Sequence, residues 1–255
     1  MSNTRDARLV LSMLLVVVVF PLVPGRVPWL VLTLSLGFLT YLAARWRSVS
    51  ALHLGVSSTS LLVALLALGS MDTWPLPPLL ALLAYAAAVA VLPALGGRPR
   101  WLAWGVLNRE VVWLMAASIV LAGIGLVGWF AFSHPSYAEL TGPLPHLPTP
   151  VIYLGMIVFC FVNAAAEELV YRGVLLAALE ATLGASAWAI VLQAIAFGTM
   201  HAHGVPRGLT GIGLTTIYGL MMGGLRRRAR GMLAPWLAHA AADVIIGSIL
   251  LRALL

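Results

Sequence analysis

Within NAAAEELVYR, Glu167 and Glu168 are adjacent and Arg172 follows four residues after the second. They come directly after VIYLGMIVFCFV, a run that reads like the interior of a bilayer. On a helix, a glutamate one turn before an arginine forms the better-oriented pair, so Arg172 neutralises Glu168 and leaves Glu167 less compensated. Such an acid, unless water reaches it, takes on through burial the character a general base requires. Asn163, Glu167 and Tyr171 are spaced four apart and share one face. A second stripe at the same interval is Gln193, Phe197 and His201 within QAIAFGTMHAHG. A third is His239 and Asp243 within PWLAHAAADVIIGS, where Pro235 suits a first helical turn and Gly247, next on that face, leaves room for a neighbour. The other faces are mostly Ala, Leu, Ile and Val, the pattern of helices lining a polar cavity inside a bundle.

These stripes need a hydrophobic frame, and the composition supplies one. Hydrophobic residues make up 62% of the 255 and charged residues 9%, against roughly a quarter charged in a soluble domain; mean hydropathy is +1.01. The expected fold is an all-α polytopic transmembrane bundle of about eight helices, within seven to nine. Spans are expected near 9–24, 28–44, 51–69, 79–95, 111–132, 150–170, 187–203, 208–225 and 232–252. The first contains Pro21 and either pairs with the second as a hairpin or fails to cross. MSNTRDAR followed by LVLSMLLVVVVFPLV resembles a signal peptide, but without a small-residue cleavage site it reads as a retained helix. Nothing outside the apolar runs is long enough to fold separately, so residues 1–255 read as one membrane domain, with residues 150–245 as its chemically active core.

All fifteen basic residues are arginine, and Ala, Gly and Leu are abundant, a composition pointing to a GC-rich bacterial genome. Most arginines cluster at Arg5/Arg8, Arg45/Arg47, Arg98/Arg100/Arg109 and Arg226–Arg230, which nine crossings place on one, cytoplasmic side. The +7 charge is therefore loop charge and not a nucleic-acid footprint. The single Cys160 excludes an intramolecular disulfide.

A depth count tests whether the stripes meet. The turn between the first two helices centres on LGAS, residues 183–186, which brings Glu167 and His201 to nearly the same level. The same count puts His239 opposite about residue 218, roughly two turns from the level that faces His201. Only tilt or a broken helix brings it in. Simpler readings stand beside these. Glu168–Arg172 taken alone also reads as a structural ion pair, and His239 with Asp243 as a mutual i, i+4 contact. His203 reads as interfacial, Glu180 as a solvated interfacial charge, and His53, His134 and His146 as loop or span-end residues. Glycines from Gly198 to Gly224 serve close packing, kinks or lateral opening.

EELVYR fits EExxxR, FGTMH fits FxxxH and HAAAD fits HxxxN/D, in that order. The series resembles the CAAX protease and bacteriocin-processing family of intramembrane endopeptidases over roughly residues 150–245. The resemblance implies that Glu167 deprotonates the attacking water and His201 holds it. It makes Glu168 and Arg172 the second acid and its charge partner, and puts His239 with Asp243 at the tetrahedral intermediate's oxygen. Where the family has Asn, an amide can donate; ionised Asp243 only accepts. Either Asp243 is protonated or, the preferred reading, it orients and charges His239, which becomes the donor. His201, His239 and a glutamate also match the ligand types of a catalytic zinc, but HExxH is absent, so the expected enzyme requires no cofactor.

The function expected is an intramembrane endopeptidase of a bacterial cytoplasmic (inner) membrane. It would cut a membrane-anchored protein or peptide near its membrane end, as in anchor-tail, sorting-tail or peptide processing. Alternatives are a zinc-dependent version, a proton-coupled transporter relaying protons through Glu167, His201 and His239, and a non-catalytic bacteriocin-immunity or scaffold protein. Against the transporter, no inverted repeat or pair of broken helices is visible.

Overall fold

A computed structural model describes residues 2–68, 76–97, 99–136 and 148–254. Over these residues the protein is a helical bundle without strands. Its helices are α1 (Ser2–Val19), α2 (Arg26–Arg45), α3 (Val49–Leu68), α4 (Leu76–Val91), α5 (Arg109–Ser133), α6 (Thr149–Glu168), α7 (Leu176–Leu183), α8 (Ala187–Met200), α9 (Gly208–Ala229) and α10 (Leu233–Leu254). Six stretches are long and apolar enough to cross a membrane: α2, α3, α5, α9, the continuous run Thr149–Leu183, and Leu233–Arg252. α4 and α8 are shorter apolar helices. α1 carries Arg5, Asp6 and Arg8 in its opening turns, ends in a 3-10 turn through Pro21, and packs on α2, α3, α7 and α8 through Leu9, Val10 and Met13. Each of the nine expected spans falls on an observed helix, but among the described residues only six of them lie on stretches long and apolar enough to cross: α1, α4 and α8 do not qualify, and α7 is a helix for which no separate span was expected. His146 and most of the loops MDTWPLPP and SHPSYAELTGPLPHLPTP, neither of which carries an arginine, lie outside the described residues.

Local chemistry explains several boundaries. Asn108 caps α5, its side-chain oxygen accepting from Val111 N–H at 2.9 Å. Pro150 sits in the first turn of α6, where its missing N–H costs nothing. Gly184 closes α7 at φ 69°, a conformation costly for other residues, and centres the α7–α8 turn where the depth count expects it. α6 does not continue as an α-helix. Leu169–Leu175 form a π-helical segment, with the wider i→i+5 turn, beginning directly after Glu168.

The glycines near His201 divide by role. A Cβ on Gly198 would clash with Thr216 Oγ1 and lie 2.8 Å from the Ile212 carbonyl; on Gly219 it would lie 2.9 Å from Ala194 Cα, and on Gly223 2.8 Å from Ile190. These three let α8 and α9 approach closely. Gly213 and Gly224 face open space. Gly198→Ala is accordingly expected to lower stability by about 1–3 kcal/mol, whereas Gly213→Ala should not lower it. Thermal unfolding of the detergent-solubilised proteins checks both.

The segment between α4 and α5 forms a strap across the α9–α10 turn. Val106 N–H donates to the Ala229 carbonyl at 2.8 Å, Met232 N–H to Ala103 at 2.8 Å, and Leu233 N–H to Trp104 at 3.1 Å. Gly105 lies against Gly231 so closely that neither position has room for a side chain. Trp101 stacks over Gly173 of the π segment, where a Cβ would come within 2.6 Å of the ring, and its carbonyl accepts from Arg226 at 3.1 Å. His53, expected in a loop or at a span end, sits in the second turn of α3. Its Nε2 donates to the Leu95 carbonyl at 2.9 Å and its Nδ1 accepts from Tyr85 Oη–H at 2.7 Å, joining α3 to α4. Glu180 is ion-paired with Arg227 at 2.6 Å and is not simply solvated.

Candidate active site

α6 delivers Asn163, Glu167 and Glu168 from its last two turns, and the π segment delivers Arg172. Arg172 Nη1 lies 3.0 Å from Glu168 Oε1, both side chains closed to solvent. The guanidinium also sits over the Phe197 ring, 4.2 Å from its centroid, a cation–π contact that compensates the buried charge. Glu168 Oε1 in turn accepts from His239 Nδ1 at 2.8 Å. A carboxylate only accepts, so Nδ1 carries a proton and Nε2 is turned the other way.

What Nε2 faces is a pair of carboxylates. Glu167 Oε2 lies 3.6 Å from it and Asp243 Oδ1 3.7 Å. The remaining oxygens of the same two acids, Glu167 Oε1 and Asp243 Oδ2, both accept from Asn163 Nδ2, at 3.3 and 3.0 Å. Asn163, Glu167, His239 and Asp243 thus close a polar ring drawn from α6 and α10. Its members differ in access. The Glu167 and Asp243 side chains are 12% and 11% exposed, against 1% for Glu168 and 0% for Arg172. Glu168 belongs to a sealed ion pair; Glu167 is the glutamate that outside molecules reach.

The depth count for His239 needs correction in one respect. His239 does stand opposite residue 218, with its ring 5.6 Å from that of Tyr218. Yet α10 packs chiefly on α6 and α5 and less on α9, so His239 meets both glutamates directly. Gly247 helps: a side chain there would run into Met156 of α6, whose Sδ lies 2.5 Å from where a Cβ would stand. The room left by that glycine is filled by α6 itself.

His201 occupies the C-cap of α8, where its Nδ1 donates to the Phe197 carbonyl at 3.1 Å; in the neutral ring Nε2 is then an acceptor. Phe197 rests on Tyr171, ring centroids 5.1 Å apart, and beneath Arg172. His201 follows Phe197 one turn further along α8. Among the described residues no hydrogen bond or ion pair joins His201 to Glu167. Phe197 separates the two histidines, 4.8 Å from the His201 ring and 5.8 Å, edge-on, from that of His239. Asn163 and Phe197 are the residues whose importance sequence reasoning missed. Both stand on the polar stripes at intervals of four, so the signal was present.

An apolar cavity of about 310 Å³ lies between α4 and α6. Leu79 and Leu82 of α4, Phe161, Ala165 and Ala166 of α6, and Trp236 of α10 line it. Asn163, Glu167, His239 and Asp243 do not line it, since Glu167 points from the opposite face of α6. As for a metal, His, Cys, Asp and Glu form no converging group of three ligands among the described residues. The imidazole that faces the carboxylates is already committed at Nδ1 to an acid holding a buried arginine.

Helices of this length and polarity, with acids and imidazoles gathered inside, define a multi-pass membrane protein with an intramembrane polar site. Residues 149–245 match the family model Rce1-like, type II CAAX prenyl endopeptidase; this stretch of the chain is similar to that family, the one its three motifs resemble. The family implies intramembrane protease activity. No curated protein and no solved structure matches the chain.

Proposed function

We propose that the protein is a metal-free intramembrane endopeptidase of a bacterial cytoplasmic membrane. It cleaves a membrane-anchored protein or peptide near the membrane end, removing an anchor or sorting tail or maturing a peptide. The observation that carries the reading is the pair of accessible carboxylates, Glu167 and Asp243, aimed at His239 Nε2 from 3.6 and 3.7 Å. Neither contact is a direct hydrogen bond, which leaves the two oxygens able to accept from a water. A water lodged against Glu167 gives up a proton to it as its oxygen attacks the scissile carbonyl carbon. The acceptor nitrogen of His201 holds the water's other hydrogen.

In its imidazolium form His239 donates from both nitrogens. Nδ1 stays on Glu168, and Nε2–H, held between the two carboxylates, turns to the oxyanion as it forms. Glu167 then returns its proton to the leaving nitrogen as the C–N bond breaks, giving a carboxylate and an amine. Asp243 serves by orienting and charging His239.

The test compares the membrane proteomes of cells carrying wild type and Glu167→Gln. A species that accumulates uncut only with the variant supports the reading; identical proteomes overturn it. A second expectation concerns metal. With that species as substrate in proteoliposomes, a strong chelator should leave the wild-type rate unchanged. Loss of cleavage on chelation, restored by zinc, would refute the metal-free mechanism.

A further inference from the structure

We propose that Asn163 is a positioning residue that sets Glu167 for proton abstraction by holding it to Asp243 through one amide nitrogen. The inference rests on the reading of Glu167 as the base. Its starting point is an assignment of oxygens. Each carboxylate has two, and each spends one on Asn163 Nδ2 and aims the other at His239 Nε2. A primary amide nitrogen carries two hydrogens, enough to serve both acids. Because ionised acids only accept, the amide has to present its nitrogen to them.

The arrangement solves two problems. Two carboxylates facing one imidazole nitrogen repel each other, and a shared donor between their outer oxygens offsets that repulsion where solvent is scarce. It also removes torsional freedom. With Oε1 fastened, the Glu167 carboxylate cannot swing about its last bond, and Oε2 remains the oxygen that meets the water. Asn163 lies one turn before Glu167 on the same helix, 7% exposed, so the clamp is itself held by packing. Asp243 thereby acts twice, orienting His239 and anchoring the amide that aims the base.

Three variants in the full-length protein, reconstituted in proteoliposomes with the species identified above, test this. Asn163→Leu keeps the volume and removes the donors; kcat should fall about 10²-fold with KM little changed, the scale of a misplacement near 1 Å. Asn163→Asp places a third acid in the ring and should fall further. The exchange Asn163→Asp with Asp243→Asn separates the clamp from a plain tie between α6 and α10. It preserves an amide–carboxylate contact across the helices but takes the donor away from Glu167, so it should remain no more active than Asn163→Leu. Exchange activity within a few-fold of wild type would overturn the proposal, as would an unchanged kcat or a change confined to KM for Asn163→Leu. Should Asn163→Leu not fold by thermal unfolding, Asn163→Ser, too short to reach both acids, takes its place with the same expected loss. If Glu167→Gln itself cleaves at the wild-type rate, the base assignment fails. If Glu167→Gln is dead and Asn163→Leu is normal, the clamp alone fails.

Discussion

Glu167→Gln should lower the rate of cleavage by about 10²–10⁴-fold, the contribution of a positioned general base, while leaving the bundle folded. Glutamine has the shape of glutamate, and its amide oxygen can still accept from Asn163, so the ring keeps much of its geometry. What disappears is the capacity to take a proton. Glu168→Gln makes the contrasting case. Its side chain is sealed between Arg172 and His239, so that substitution strands the buried guanidinium and should show first as lost stability. Initial rates in proteoliposomes, beside thermal unfolding in detergent, distinguish the two. Glu167→Gln with full activity, or Glu168→Gln with full stability and no activity, would reverse the roles assigned to the adjacent acids.

Arg172→Met is expected to destabilise the protein by about 3–5 kcal/mol, the cost of removing one partner from a buried ion pair. Arg172 is among the largest fully buried side chains in the structure, and its charge is met by Glu168 at 3.0 Å and by the face of Phe197. Without it Glu168 has only His239, and Phe197 loses the group packed on its ring. Adding Glu168→Gln to Arg172→Met should recover part of the loss, because an uncharged amide is cheaper to leave buried than a carboxylate. Unfolding midpoints of the single and double variants in the same detergent check this. A double variant less stable than Arg172→Met would mean that the acid gains more from His239 than from the arginine.

The sequence disclosed the frame and the faces of its helices, because both follow from local chemistry. Apolar runs of spanning length mark the helices, Gly184 marks the α7–α8 turn, and residues four apart must share a face. Lateral placement was not legible. Hydropathy does not say that α10 leans on α6 rather than α9, and His239 reaches Glu168 only because it does. The π segment was hidden too, since LVYRGVL carries nothing in its composition that separates it from an ordinary helical turn. The strap escaped notice because backbone groups make most of its bonds, and they leave no mark on residue identity beyond Gly105 and Gly231.

That strap bears on how the chain is divided. Residues 99–108 come from outside the family-matched stretch, yet Trp101 covers Gly173 inside it, and the α9–α10 corner finds backbone partners in Ala103, Trp104 and Val106. A transplant of residues 149–245 into another membrane scaffold would leave that corner's amides bare and a hollow over the segment that carries Arg172. The portable unit is discontinuous, and it includes a short ribbon borrowed from the other half of the molecule.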